Sequence, residues 1–510
     1  MTTKATRGPR RRTVVALAVV LAVIAAFVVR LVDIQVVNAA SHVADSQAPD
    51  RLGVVRTLAG SRGAIVDENG TELATSVLVY DAQLDPLLIN KIEQGLERGP
   101  KLDWEEASAR IAEVLGETPE EIRTLVADAH EANPQSQYLP LATSLTTDQY
   151  VALRDLRLPY LWMPARSTRA YPNGAVAGNV IGFVGSDGAP LEGYELLQDE
   201  CLAPVDGQQT YLRGKTGVII PGSEKVTEPI DGGTLQLTIN SDLNWYLQQM
   251  IAEEVTTQGA LWGSVFVVEV ATGKVRAAAE YPTVDPNEPG AANAADRGSR
   301  IFTHAFEPGS TFKAITAAAV MEAGGATPLS TVQAAGREVF PNGAVVNDFT
   351  PHGTLNYTLA GALIDSSNVA MSKFGTQISA EVRHDYLEAF GVGERSAIGF
   401  NGEPSGVLHP VSKWDNQSLY TTTFGQYFTV TTPQLASAYQ TIANGGVKVP
   451  LRMIESCTKA DGTVIEPESG EPERVIQEKT ADQLALMLEN VASQGSLAEQ
   501  TAVPVFAAIR

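Results

Sequence analysis
The sixteen residues from Val14 to Val29 are uncharged and apolar. Such a run has few folding options, because in hydrocarbon only a helix satisfies its own backbone groups. Sixteen residues make about 24 Å of helix, against about 30 Å of bilayer core. Leu31 and Val32 lengthen the span if the Arg30 side chain reaches the interface. Lys4, Arg7, Arg10, Arg11 and Arg12 precede it with no acid among them, which predicts a cytoplasmic N-terminus and an exported body. Residues 1–13 read as a basic tail and 14–37 as a single-pass membrane anchor. A cleavable signal peptide competes, with Val37-Asn38-Ala39 as a poor cleavage site, but the run is longer than a typical signal core. A buried core helix fits badly beside five cations.

The rest of the chain is acidic. The formal net charge is −22 despite the basic tail, and no basic stripe occurs elsewhere, so nucleic acid is excluded as a partner held by counterion release. His42, His130, His304, His352, His384 and His409 show no metal-binding spacing such as H-E-x-x-H, and each reads as structural or solvent-exposed. Cys201 and Cys457 are the two cysteines, and neither sits in a C-x-x-C, which excludes a zinc ribbon and a thioredoxin motif. In an exported body they can pair or remain as two buried thiols, and both readings stand.

Ser46 to Gly60 reads as a juxtamembrane segment. Gly63-Ala64-Ile65-Val66 is strand-like before the turn Glu68-Asn69-Gly70. Leu102 to Ala129 carries an acidic, Ala/Leu-rich two-helix pattern, with Thr118 and Glu121 as a capping box for the second helix. Gly-rich turns from Asn173 to Gly207 predict a loop-laden β region. The pattern changes at Asp231-Gly232-Gly233. Leu235 to Ile239 alternates like a strand, and Ser241 or Asp242 is expected to cap a helix whose apolar positions include Leu243, Leu247, Met250, Ile251 and Val255. Ser264 to Val270 is a near-continuous apolar strand, and Val275 to Ala279 can return antiparallel after a turn. An α+β domain therefore starts near residue 233.

Glu307-Pro308-Gly309-Ser310-Thr311-Phe312-Lys313 runs into an Ala-rich apolar stretch, Ala314 to Val320. Pro-Gly ahead of a helix puts Ser310 in its first turn, where free N–H groups favour negative charge. Lys313, three residues on, shares that face. A serine hydroxyl needs a base to become a nucleophile, and a lysine desolvated in a pocket can lose its proton near neutral pH and serve as one. S-x-x-K alone is a weak pattern. Ser456-Cys457-Thr458-Lys459 also matches, but it runs into the turn Asp461-Gly462-Thr463, so no helix holds that pair together. Ser366-Ser367-Asn368 lies 56 residues after Ser310. A loop serine there can relay a proton, and Asn368 can hydrogen-bond a substrate amide and the lysine. The plain alternative is a helix cap.

With these elements the chain resembles the class B penicillin-binding proteins, monofunctional D,D-transpeptidases that cross-link peptidoglycan. Arg62-Gly63-Ala64-Ile65-Val66-Asp67-Glu68-Asn69-Gly70 is similar to the family's pedestal signature, and Tyr281 to Asn287 with Phe306 to Ser310 to its approach to the nucleophile. Phe424-Gly425-Gln426, Thr432 to Ala436 and Ile442 to Gly446 resemble its late helix, except that Tyr427 stands where the family usually has glycine. The resemblance implies an α+β chain with three parts: an N-terminal transmembrane helix, a pedestal or dimerisation domain over 50–230, and a serine β-lactamase-like penicillin-binding domain over 233–510. In that last domain a central antiparallel sheet is flanked by helices. Catalysis is expected from Ser310, Lys313 and Ser366, and substrate binding from Asn368, with no cofactor and no metal.

The family's K-T-G strand follows the other two motifs, whereas Lys215-Thr216-Gly217 here precedes Ser310 by 95 residues. It reads as a pedestal turn without a catalytic role. The last residues, Val505 to Arg510, do not resemble the family's lead-in to that strand, so the domain is expected to be C-terminally truncated, with a sheet edge exposed. The resemblance implies peptidoglycan stem peptides as substrates, β-lactams as covalent inhibitors, and a septal role beside a glycan polymerase and division proteins at the membrane. The rival readings are a catalytically impaired scaffold and a β-lactam sensor or hydrolase.

Overall fold
The computed structural model describes residues 9–33, 37, 53–212, 219–468 and 470–501. Lys215-Thr216-Gly217, Asn38-Ala39 and Val505 to Arg510 lie outside the described residues. The chain forms two compact units, 1–60 with 204–230, and 61–203 with 231–510.

In the first unit, Pro9–Val32 is a 24-residue helix. Its Val14–Val32 stretch is long and apolar enough to cross a membrane, and its large apolar side chains are exposed. Gly53–Leu58, expected as part of a juxtamembrane segment, is instead a strand. It pairs antiparallel with Gly207–Leu212, which pairs in turn with Lys225–Thr227.

The second unit is organised by an eight-stranded sheet drawn from both sides of residue 233. Thr234–Leu237 lies between Ile65–Val66, to which it runs parallel, and Ile454–Thr458, to which it runs antiparallel. The strand Ile65–Val66 turns at Asp67 to Gly70 into Glu72–Leu84, with Gly70 at φ +83°, where a glycine costs nothing. Trp104–Leu115 and Pro119–Ala132 are the two expected helices, and both halves of the Thr118–Glu121 capping box are present. The stretch from Asn173 to Gly207 departs from the β expectation. It folds into short helical turns, Gly178–Ile181, Gly193–Leu197 and Asp199–Leu202, joined by loops, with isolated bridges at Val184 and Val205.

Cys201 and Cys457 are disulfide-bonded, 256 residues apart in sequence. The bond ties the helical turn Asp199–Leu202 to strand Ile454–Thr458, beside a core containing Ile65, Leu235 and Met453. Closing so long a loop restricts the unfolded chain. Reducing it, or Cys201→Ser with Cys457→Ser, is expected to lower stability by about 2–4 kcal/mol. Melting with and without reductant measures this, and no shift would show that the bond does not constrain the unfolded state.

Gly263–Val268 and Val275–Tyr281 form the expected antiparallel hairpin, and among the described residues they are the only strands of their sheet. Ser241–Gln258 packs against this hairpin, as does Thr432–Ala443 against its first strand. The cap of Ser241–Gln258 is Asn240, whose side chain accepts from Leu243 N, rather than Ser241 or Asp242. The helix buries Ser241, Asn244, Gln248 and Val255 while Met250 is exposed. Asn244 Oδ1 accepts from Ala278 N at 2.8 Å, and Gln248 donates to Ala175 O at 3.0 Å. Polar side chains thus take buried positions on this helix, where they satisfy backbone groups that an apolar face would leave without partners.

Candidate active site
The turn carrying Ser310 is held from one side by residues 424–430. Phe306 and Val430 exchange two backbone hydrogen bonds of 2.9 Å, and Gly309 N donates to Gly425 O at 2.8 Å. The approach is so close that a Cβ on Gly425 would lie 1.8 Å from Gly309 O, and Gly425 has φ +83°. Only glycine fits there. Two residues on, Tyr427 has φ +71°, so the tyrosine keeps the left-handed backbone that favours glycine. Its N–H donates to Glu307 Oε1 at 2.8 Å, its hydroxyl to Lys413 O at 3.0 Å, and its ring lies 4.8 Å from that of His409.

Gly309–Phe312 forms a 3-10 turn that continues as the α-helix Lys313–Glu322, so Ser310 precedes the α-helix proper by three residues. Ser310 is exposed, whereas every residue from Lys313 to Met321 is buried. Lys313 is 2% exposed. Its Nζ lies 3.2 Å from Ser310 Oγ, 2.9 Å from Ser366 Oγ and 2.5 Å from Ser366 O. Burial pushes the Lys313 amine down to about 8, and the Asp348 carboxylate opposes that shift. An amine at about 8 is roughly a tenth neutral at pH 7, against about three parts in ten thousand at its ordinary value.

Ser366 follows the helix Leu359–Ile364 and has φ +51°, a left-handed conformation that a non-glycine residue takes at some cost. That twist brings its carbonyl and its hydroxyl to the same lysine. Ser367, the middle residue of the triplet, is the helix cap. It accepts from Ala370 N at the start of Asn368–Gly375 and donates to Asp348 Oδ2 at 2.6 Å. The catalytic and capping readings of Ser366-Ser367-Asn368 therefore fall on different serines. Asn368 is not a partner of Lys313. Its Nδ2 donates to Asn347 O at 2.9 Å.

The structure thus gathers Ser310, Lys313 and Ser366 in hydrogen-bonding distance and sets Asn368 on the adjoining turn. Two residues beside them were not singled out from sequence, Asp348 and, as a partner of anything, His352. Asp348 accepts from Val369 N at 2.9 Å and sits 2.9 Å from His352 Nε2. Their four-residue spacing falls in a loop, where it has no periodic meaning. Ser456 to Thr458 lies in an extended strand followed by a turn at Asp461, as expected of a chance match. His304 packs edge-on against Trp262. His384, Asp385 and Glu388 place one ligand atom each within 4.8 Å of one another, a surface cluster of a kind common without an ion.

Residues 57–237 match the family model of the penicillin-binding protein dimerisation domain, and residues 263–507 that of the penicillin binding protein transpeptidase domain. The chain is 33% identical over 498 residues to the penicillin-binding protein PbpB of Mycolicibacterium smegmatis, covering 94% of this chain and 76% of that protein. It is 29% identical over 441 residues to the peptidoglycan D,D-transpeptidase FtsI of Escherichia coli, with 86% and 71% covered. The solved structure of penicillin binding protein 3 from Mycobacterium tuberculosis, complexed with aztreonam, matches at a TM-score of 0.64 with 25% identity, over 87% of this chain and 78% of that one.

Proposed function
This chain belongs to the penicillin-binding proteins, and on that premise we propose that it is a serine-type peptidoglycan D,D-transpeptidase whose nucleophile is Ser310. The observation that carries the reading is the buried Lys313 amine, 3.2 Å from Ser310 Oγ and 2.9 Å from Ser366 Oγ. Neutral Lys313 takes the hydroxyl proton as Ser310 Oγ attacks the penultimate D-Ala carbonyl of a stem peptide. The Ser310 N–H, at the start of its helical turn, supports the oxyanion. Ser366 passes the proton to the departing D-Ala nitrogen, the C–N bond breaks, and the acyl-enzyme remains. An amine from a second stem peptide then attacks the ester, and the same groups return the proton to Ser310. Asn368, fixed by one N–H to Asn347 O, keeps its Oδ1 for a substrate amide.

β-Lactams acylate the same serine as covalent inhibitors. The helix Pro9–Val32 anchors the protein with its basic end in the cytoplasm and the body outside. Work at the septum, beside a glycan polymerase and other division proteins, belongs to the same proposal and rests on the likeness to PbpB and FtsI.

A fluorescent penicillin tests the reading. The expected result is one covalent label per chain, mapped by mass spectrometry to the Ser310 peptide and absent in Ser310→Ala. Folded wild-type protein that takes no label would overturn the proposal in favour of a scaffold, and label lost within seconds would favour a hydrolase.

A further inference from the structure
The Ser310–Lys313–Ser366 triplet leaves unused an acid and an imidazole that are joined to it through Ser367, the neighbour of Ser366. Asp348 has a side chain only 6% exposed, and its carboxylate accepts three hydrogen bonds. Ser367 Oγ donates to Oδ2 at 2.6 Å, Val369 N to Oδ1 at 2.9 Å, and His352 Nε2 to Oδ2 at 2.9 Å. The other ring nitrogen, Nδ1, lies 2.6 Å from Gly353 O. A carboxylate and a backbone carbonyl are both acceptors only, so a ring flanked by the two is satisfied when both nitrogens carry protons. The geometry is that of an imidazolium.

The surroundings agree. The charged groups that bear on the ring are Asp348 and Asp365, both acids. Tyr357 meets it edge-on at 5.9 Å, and Gly336 approaches with backbone only, its N–H donating to His352 O. The hydrogen bonds from His352 to Asp348 and Gly353 hold it above its ordinary value of 6.5. Lys313 holds Ser366, whose neighbour Ser367 donates to this carboxylate, and Asp348 is the charge that acts on Lys313 against burial.

We propose that His352 is a positioning residue for Lys313, acting through Asp348. Its positive charge offsets the buried carboxylate, so that the carboxylate can fix the Ser366-Ser367-Asn368 turn without binding the lysine's proton. This rests on the reading of Lys313 as the base for Ser310. An anion is a good anchor for that turn, since it takes a hydroxyl and a backbone N–H at once. Unpaired, it would also stabilise the ammonium form of Lys313 and so block the base. His352 removes that conflict. As pH rises and His352 loses its proton, Asp348 stands bare and holds the Lys313 proton more firmly, so acylation should rise with pH less steeply than for a single independent base.

The test reads Lys313 directly. Competitive acetylation of the full chain across pH, quantified on the Lys313 peptide by mass spectrometry, gives its titration without substrate. In His352→Gln, which can still donate an N–H but carries no charge, the Lys313 midpoint should move up by roughly half a unit to one unit. In Asp348→Asn it should move down by a similar amount. Opposite shifts support the proposal. Shifts of one sign, or a slower acylation with an unmoved midpoint, would overturn it and leave a structural role. Histidine-selective ¹⁵N labelling of the wild-type chain adds a check that needs no variant fold. His352 should show two protonated nitrogens at pH 7, and a neutral ring would overturn the proposal. Because neither readout uses penicillin, failure of Ser310 labelling would count against the acylation reading and leave this one standing or falling on its own data.

Discussion

Replacing Lys313 with methionine should slow penicillin acylation by about a thousandfold or more while leaving the protein folded. A positioned general base contributes about 10²–10⁴ in rate, and here the lysine is within 3.2 Å of the oxygen it must activate. Methionine is close to lysine in length and has no base at its tip. The site is 2% exposed, so exchanging a desolvated amine for a thioether removes a burial cost instead of creating one. Ser366 then loses the donor to its carbonyl and hydroxyl, a cost of about 1–3 kcal/mol at most. The pH profile adds a second, independent sign. Lys313 sits near 8 because burial disfavours its charged form, and only the neutral amine accepts a proton. Wild-type acylation should therefore climb with pH through a midpoint at about 8 and level off only once the amine is neutral. The variant's residual rate should lack that limb. Time courses of penicillin labelling from pH 6 to 9.5 measure both. A methionine variant that labels within tenfold of wild type, or keeps the same pH limb, would remove Lys313 from the role of base.

The parts of this site that sequence makes legible are those encoded by short spacing. Ser310 and Lys313 are three residues apart on one helical turn, and the hydroxyl–amine contact follows from helix geometry. The capping box at Thr118 and the hairpin Gly263–Tyr281 are legible for the same reason, since each closes within a few residues. What sequence hides is paired over distance or set by backbone demand. The bond between Cys201 and Cys457 spans 256 residues, and composition alone left pairing and free thiols equally open. Asn244 and Gln248 take the buried face of their helix because Ala278 N and Ala175 O need partners there. An apolar count cannot foresee that. Asn368 was expected to reach the lysine as well as substrate, yet the turn at Ser366 gives Lys313 a backbone carbonyl and sends the amide to Asn347. Tyr427 is the instructive case. Its identity departs from the usual glycine, while its backbone keeps the glycine-like conformation through anchors at Glu307 and Lys413.

Glu195→Ala should cost about 3–5 kcal/mol of stability and yet spare Ser310 labelling in protein kept below its melting point. Glu195 is fully buried, 0% exposed. Its two oxygens each take a guanidinium, Arg62 Nε at 2.6 Å and Arg169 Nε at 2.7 Å, and Oε1 also accepts from Tyr171 at 3.3 Å. The arginine side chains are 11% and 3% exposed, so neither can turn to water when the carboxylate goes. Arg62 would retain Asp199, which is 44% exposed, and Arg169 would retain only the backbone carbonyls of Arg62 and Gly63. Two cations would then face one solvated anion. Removing one member of a buried pair costs far more than the pair contributes, because the remaining charge is left desolvated. The damage is local to the sheet around Ile65–Val66 and Thr234–Leu237, whose core holds Tyr171 and Leu235. The helix of Lys313 belongs to a different core, with Phe312, Phe374 and Phe428. Penicillin labelling of the folded variant is accordingly expected at the wild-type rate, with a melting temperature several degrees lower. Glu195→Gln, which keeps the shape and one acceptor, should fall between the two. An alanine variant that melts within a degree of wild type would show that water reaches these arginines, and a variant that melts early and also fails to label while folded would show that the two cores are one cooperative unit.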